Sequence, residues 1–584
     1  MKDFHLGLSF GYHDSAAAIA CNGELIAASE EERFSRVKND PRFPKLAIEF
    51  CLKEAGIQAS ELASATYYEC WQDKLDRIIK SGLINYPEGE TFLEKSLNIW
   101  IEDEKFDPIK EIAKQLKIPK KHIKAIGHHE SHAAATYLLS PFEEAAIVTL
   151  DGVGEYDCMT ISKGSGNKII RLQTQTLPHS LGLLYSAFTA YLGFKVNEDE
   201  YKVMGMAGYG DPSYAEKIRS LIKLHPDGTF SIDTRYFNFL TPTKVAYLDK
   251  LESLLGPGRE RSQANQKQTF NRSSEDHQKY ANIAASLQLV TEETILHVVR
   301  HALESIGTNN LCLGGGVALN SLANGRIQRE LKSKLHIHPA AGDAGGAVGA
   351  ALSQSCKKKR QMGQAKSLSP YLGAGCDKKE ISIALKQTKH CSYIEYTDET
   401  SLLDHVSTEI LNGKVVGWFQ GRSEWGPRAL GNRSILADPT HPNMQEIINR
   451  KIKFREPFRP FAPIVTPEKA PEFFEIDEET PLWGPESYML SIKKVRAEFR
   501  DRFPAITHID GTARIQIARK EWNPRMYSLL NHIGRKNQAP MLLNTSFNLK
   551  GEPIVNHPKE ALLTFSWSDM DILVLGDTVI EKKT

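Results

Sequence analysis

One arrangement of residues is spelled twice in the N-terminal third of the chain, and it narrows the folds available. HLGLSFG reads as a strand, YHDS as a loop, AAAIAC as a second strand, and the Asn22-Gly23 turn leads into ELIAAS. Further on, AAIVTL is a strand, DGVGEYD a loop, CMTIS a strand, and GSGN a turn into KIIRLQ. The same strand, acidic loop, strand, turn and strand therefore recur near 5–30 and 145–173. Helices are expected at LGLLYSAFTAYLG and roughly from His277 to Ser305, where Ala, Leu and Glu keep amphipathic spacing. The expected class is α/β.

At 584 residues the chain is too long for one ordinary core, so two or more domains are expected. A net charge of +1 gives no global attraction to nucleic acid or to an anionic membrane. There is no apolar run of about 20 residues, and MKDFHLGLSFGYHD lacks a signal-peptide pattern. Eight scattered cysteines form no CxxC pair, so a reduced, cytoplasmic setting is expected. The polar, basic stretch SQSCKKKRQMGQAKSLSP reads as a linker or long surface loop. It suggests an N-terminal domain over 1–355, a linker over 356–369 and a C-terminal domain over 370–584. In the latter, SLLDHVSTEILNG reads as a helix ended by glycine and KVVGWF as a buried strand. The segment 236–274 reads as a peripheral insertion.

Four residues far apart in sequence have the chemistry of a metal site. His128 and His132 stand four apart in GHHESHAAA, a spacing that puts both on one helix face. Asp151 opens DGVGEYD, and Asp343 lies in AGDAGGAVGA, both beside glycines. HHESH is not the zinc-protease signature, because the histidine spacing from His129 is one residue short. Mixed imidazole and carboxylate donors suit iron, manganese or zinc better than calcium. The task of such an ion would be to bind phosphate oxygens and polarise a carbonyl. LCLGGGVALN adds a strand, a glycine turn and a helix start, a place where N–H groups converge on an anion. No Walker A motif is present, since Gly421 to Gly426 continues as Pro427-Arg428.

A second cluster, GRSEWGPRALGNRSI and KFREPFRPFAP, gathers arginines among prolines and aromatics. Arg428 and Arg459 are flanked by prolines that fix the backbone, Lys453 adds a point charge, and Trp425, Phe454, Phe458 and Phe461 supply apolar walls. DGTARIQ places Arg514 on a strand. MLLNTSFN puts Asn544, Thr545 and Ser546 in a polar loop after an apolar strand. These groups suit a small phosphate or carbonyl compound.

The segments YHDSAAA, EEERFSR, HHESHAAA, DGVGE, DEYKVMG, GGGVALN, GDAGGAVGAA, EWGPRALGNRSILADP, FREPFRPFAP, HIDGTARIQ and LLNTSFNLKGEPIV resemble the O-carbamoyltransferase family. That family includes nodulation-factor and antibiotic-tailoring carbamoyltransferases, and the resemblance runs in order along nearly the whole chain. It implies a duplicated actin/Hsp70-like ATPase-type N-terminal domain, similar to the tRNA threonylcarbamoyladenosine transferase, fused to a C-terminal YrdC-like α/β domain. It also implies that carbamoyl phosphate binds at Arg428, Lys453, Arg459, Arg514, Asn544 and Ser546 and reacts with ATP to give carbamoyl adenylate. The carbamoyl group then passes to a hydroxyl of a small, natural-product acceptor. By the same resemblance, His128, His132, Asp151 and Asp343 match metal ligands, usually for Fe2+, with Mg2+ accompanying ATP. His13 matches a residue of the acceptor site, a candidate general base with Asp14 orienting it. Gly314, Gly315 and Asn320 match the adenylate-binding turn, with Glu200 and Lys202 as further nucleotide candidates. A tRNA-modifying threonylcarbamoyl enzyme and a noncatalytic actin/Hsp70-like ATPase are the rival readings. Neither nucleic acid nor membrane is an expected partner, and a homodimer is the base-rate expectation.

Overall fold

A computed structural model describes residues 3–103, 105–242, 245–260, 275–358, 360–362, 368–388, 390–453, 461–476, 481 and 483–583. The chain divides into two compact units. The first takes 1–26, 41–44 and 51–363; the second takes 27–40, 45–50 and 364–584. The linker expected at 356–369 spans the change at 363/364, but the division is not a single cut. The segment carrying EEERFSR belongs to the second unit although it follows β3 directly in sequence.

The first unit contains the duplication expected from sequence. Strands β1 (Phe4–Ser9), β2 (Ala16–Cys21), β3 (Glu24–Glu30, of which 24–26 fall in this unit), β4 (Leu62–Tyr67) and β5 (Ile123–Ala125) form a sheet ordered β3-β2-β1-β4-β5. The strands β6 (Glu144–Leu150), β7 (Asp157–Ser165), β8 (Lys168–Thr176), β11 (Asn310–Gly314) and β12 (Lys334–Ile337) form another, ordered β12-β11-β6-β7-β8. In both, the first strand of the repeat pairs antiparallel with the second and parallel with the fourth. A small hairpin, β9 (Ile222–Leu224) and β10 (Phe230–Ile232), stands apart. The all-buried β2, AAAIAC, is a continuous apolar run because both faces of its sheet are covered. The expected helices occur at Leu181–Tyr191 and Glu275–Ile306. Of the insertion 236–274, residues 243–244 and 261–274 lie outside the described residues.

Among the described residues, the second unit is built on an eight-stranded sheet of β13 (Cys391–Glu395), β14 (Val416–Phe419), β15 (Arg433–Ala437), β16 (Ala462–Val465), β19 (Gln516–Ile517), β20 (Met541–Ser546), β21 (Ile572–Leu575) and β22 (Thr578–Lys582). Their order is β13-β22-β21-β14-β15-β20-β16-β19. A separate pair joins β17 (Ile492–Lys494) to β18 (Thr512–Arg514). Two apolar clusters form its core. One contains Phe419, Ile435 and Leu543, the other Trp418, Leu436 and Leu542, so neighbouring strand residues feed opposite faces. The polar loop expected at 544–546 is instead the end of β20. Asn544, Thr545 and Ser546 pair with Leu436, Ile435 and Ser434, so the ladder carries these polar side chains as strand residues. Among the described residues, no cysteine takes part in a disulfide. Among the described residues, no helix is long and apolar enough to cross a membrane.

Candidate functional site

The four expected metal ligands meet in the first unit. His128 and His132 lie one turn apart on the helix His128–Leu139, Asp151 follows β6, and Asp343 precedes the helix Ala344–Ser355. One ligand atom from each lies within 4.8 Å of the other three. Small residues make this possible. A Cβ on Gly349 would sit 1.8 Å from the carbonyl oxygen of Ser131, so the two helices approach at backbone distance. Gly315, with φ of 89°, draws three segments together. Its N–H donates to Ala341 O at 3.0 Å, and a Cβ there would strike the Leu150 carbonyl at 2.2 Å. It thereby joins the segments that carry Asp151 and Asp343.

The geometry is that of converging lone pairs. His132 Nε2 is 2.8 Å and His128 Nε2 3.2 Å from the same Asp151 Oδ2. The two Nε2 atoms are 3.1 Å apart, and each is 3.7 Å from Asp343 Oδ1. Burial disfavours a charged imidazole, but hydrogen bonding to Asp151 and Asp343 outweighs it and pushes His132 up to about 9. His128 is raised against burial by the same Asp151 contact. Burial would raise the aspartates, yet the histidines hold Asp151 well below the usual carboxylate range and Asp343 at about 2. A neutral imidazole in its Nε2–H form can donate to Asp151 Oδ2, and a cation among the two Nε2 atoms and the two carboxylates would engage all four groups at once. Two nitrogen and two oxygen donors fit a borderline divalent ion.

Around this cluster, neighbouring residues have separable tasks. His129 is held near 3 by burial, so it stays neutral. Its Nε2 lies 2.9 Å from the Asp157 carbonyl, and its Nδ1 lies 2.7 Å from Thr149 Oγ1. It fastens the helix to the sheet. His13 has its Nδ1 2.9 Å from Asp14 Oδ2 and its Nε2 3.6 Å from Asp343 Oδ2. Burial lowers its proton affinity, but Asp343 and Asp14 outweigh that and raise it to about 9. Asn320 caps the helix Ser321–Leu331 through Ala323 N and exchanges hydrogen bonds with Gln288. Glu200 accepts from Ser186 Oγ and Asn197 N, each at 2.9 Å, while Lys202 pairs with Asp199 at 2.8 Å. Asn320, Glu200 and Lys202 are thus engaged with protein groups, and Gly314 ends β11 beside the His132 carbonyl.

Sequence reasoning missed Glu155, the acid that ends DGVGE. Its carboxylate accepts from Cys70 N at 2.6 Å and from His128 N at 3.0 Å. It thereby ties the Asp151 loop to the N-terminus of the histidine helix, where a negative charge is favoured. Glu155→Gln is expected to weaken metal affinity by about 10- to 100-fold, since such supporting contacts orient the ligands. Competition with a chelator measures this; unchanged affinity would remove Glu155 from the site.

In the second unit, Asn544 donates to Ala429 O at 3.2 Å and to Gln516 Oε1 at 2.8 Å, linking the neighbours of Arg428 and Arg514. Lys453 is not the open point charge expected from sequence. Its buried ammonium is engaged by Ser546 O and Oγ and by Asn548 O and Oδ1. Trp425 and Phe461 are buried. Arg459, Phe454 and Phe458 lie outside the described residues.

The comparisons with known proteins agree along the chain. A model described as Carbamoyltransferase N-terminus matches residues 5–352, and one described as Carbamoyltransferase C-terminus matches residues 407–582. The uncharacterized protein sll1178 of Synechocystis sp. is 41% identical, covering 99% of this chain and 96% of that one. Nodulation protein NolNO of Sinorhizobium fredii is 35% identical, covering 98% of this chain and 79% of its own. A solved structure of HypF from T. kodakarensis, 15% identical, covers 61% of this chain and 47% of its own with a TM-score of only 0.30. Both halves of the family's pattern are thus present in order along the chain. The chain belongs to the carbamoyltransferase family and is a carbamoyltransferase.

Proposed function

We propose that the chain is an ATP-dependent O-carbamoyltransferase acting on a hydroxyl of a small acceptor. In this reading the second unit, taken as YrdC-like, binds carbamoyl phosphate and, with ATP and one water consumed, forms carbamoyl adenylate, releasing phosphate and pyrophosphate. The first unit, taken as actin/Hsp70-like on the strength of its repeated sheet order, then transfers the carbamoyl group to the acceptor and frees AMP. The observation that carries the reading is the convergence of His128, His132, Asp151 and Asp343 with His13 beside them. These four residues would hold a divalent ion, with Fe2+ the reading carried by the family resemblance. When bound, such an ion supplies positive charge to the phosphate oxygens and the carbonyl. In this reading His13 accepts the proton of the attacking hydroxyl, and Asp14, 2.9 Å from its Nδ1, orients its ring. Arg428 and Arg514 supply fork-shaped donors for phosphate, and Asn544 and Ser546 supply neutral ones. Lys453 contributes charge from behind Ser546. Gly314, Gly315 and Asn320 border the nucleotide in this reading, with Glu200 and Lys202 farther along it.

The chemistry of the second unit is tested by Arg428→Ala. Loss of a charge-assisted contact of roughly 1.5–3 kcal/mol corresponds to a carbamoyl phosphate KM raised by about one to two orders of magnitude. Pyrophosphate release from ATP, measured against carbamoyl phosphate concentration, gives the number. An unchanged concentration dependence would refute the pocket.

A further inference from the structure

The motif EEERFSR supplies neither metal ligands nor phosphate donors, yet its side chains reach deep into the second unit. Glu30 and Arg33 are 5% and 3% exposed and stand some four hundred positions before the loop they touch, 393 for Arg33 and Gly426. The N–H of Gly426 donates to Glu30 Oε1 at 2.9 Å, and Arg33 Nη2 donates to the carbonyl of Gly426 at 2.7 Å. Arg33 Nε closes the set on Glu30 Oε2 at 3.4 Å. A buried guanidinium and a buried carboxylate thus hold both polar groups of one residue, and each supplies charge that compensates the other, with Glu32 and Glu424 adding to the compensation of Arg33.

The residues just after Gly426 give this grip its consequence. Pro427 fixes the next φ, so little backbone freedom separates the held residue from Arg428. Beyond Arg428, the Ala429 carbonyl accepts from Asn544, and the N–H of Leu430 donates to Glu424 Oε1 at 2.7 Å. Glu424 Oε1 also takes the N–H groups of Asn432 and Arg433, at 2.8 and 3.1 Å. Arg428 therefore projects from a loop pinned on both sides. The pin on its N-terminal side comes from residues 30–33, outside the C-terminal sequence.

We propose that Glu30 and Arg33 are positioning residues of the oxyanion pocket, fixing the place of Arg428 through Gly426. The inference rests on the reading that this unit binds carbamoyl phosphate. Its particular content is that a segment near the N-terminus sets the affinity of a pocket made from residues 428–546. A purely structural pair would support all functions of the unit alike. A positioning pair acts on the anion alone.

The test uses the full chain and measures pyrophosphate release with carbamoyl phosphate and ATP varied separately. Glu30→Gln with Arg33→Met removes both charges together and leaves no buried ion unpaired. This variant is expected to raise the KM for carbamoyl phosphate about tenfold or more, with the ATP KM within about twofold, since small misplacements of a binding group cost this much. Arg33→Lys keeps a cation and one donor, and should recover part of the loss. Equal changes in both KM values, or lowered thermal stability with the carbamoyl phosphate KM unchanged, would overturn the proposal. Arg428→Ala separates the two claims. If it raises the carbamoyl phosphate KM and the Glu30/Arg33 variants do not, the positioning role fails and the pocket stands. If Arg428→Ala has no effect, the pocket fails and the positioning role falls with it.

Discussion

His132→Ala is expected to abolish divalent metal binding by the first unit, and carbamoyl transfer with it. Pyrophosphate release driven by carbamoyl phosphate should survive. His132 Nε2 approaches Asp151 most closely of the histidine nitrogens, at 2.8 Å, and faces His128 Nε2 at 3.1 Å. Its removal leaves three of the four donors and breaks the contact that helps hold Asp151 ionised. Alanine is a strong helix former, so the helix His128–Leu139 should persist around the small cavity left behind. Elemental analysis and circular dichroism of the purified variant separate loss of metal from loss of fold. A folded variant with full metal content would contradict the ligand assignment. Loss of pyrophosphate release to the same extent as transfer would contradict the division of labour.

The second large effect is expected at His13. His13→Asn should leave adenylate formation intact and slow transfer to the hydroxyl by about 100- to 10,000-fold, the range for a lost general base. Bound carbamoyl adenylate should then accumulate in a single turnover, because only the step that needs a proton acceptor has been impaired. The proton affinity of His13 sharpens this expectation. Burial lowers it, but Asp343 and Asp14 raise it further, to about 9, so without a cation the ring stays protonated at neutral pH. A cation beside Asp343 and Asp151 opposes that pull and frees the ring to accept a proton. The sign is therefore fixed: loading with zinc, which is diamagnetic, should move the His13 titration seen by NMR downward from about 9. Transfer at the wild-type rate in His13→Asn would leave this histidine a structural role and require another base.

The ligand set was legible because each member sits in a motif with its own local logic. An i, i+4 pair declares a helix face, and an acid among glycines declares a loop close to a backbone. The duplicated sheet was legible for the same reason, since alternating strands and tight turns are local signals. Residues whose partners lie far away in sequence were not. Glu155 looks like one more acid in a loop until the N–H groups of Cys70 and His128 are found on it. Lys453 looks like a free cation until Ser546 and Asn548 surround it. Residues 27–40 take in the end of β3 and the charged run after it, and their place in the second unit is set by distant contacts such as Arg33 with Gly426 and Arg36 with Ile554. The polar end of β20 mimics a loop because the side chains of Asn544 and Ser546 serve other residues while the backbone keeps the ladder with β15.

The most direct test of the two-step reaction traces the carbamoyl carbon. The purified, metal-loaded chain is mixed with carbon-labelled carbamoyl phosphate and ATP labelled in its α-phosphate, then quenched within one turnover. A route through carbamoyl adenylate predicts one species that carries both labels, formed together with phosphate and pyrophosphate and lost as AMP appears. ADP as the nucleotide product, or labelled carbon that never shares a molecule with AMP, would contradict it.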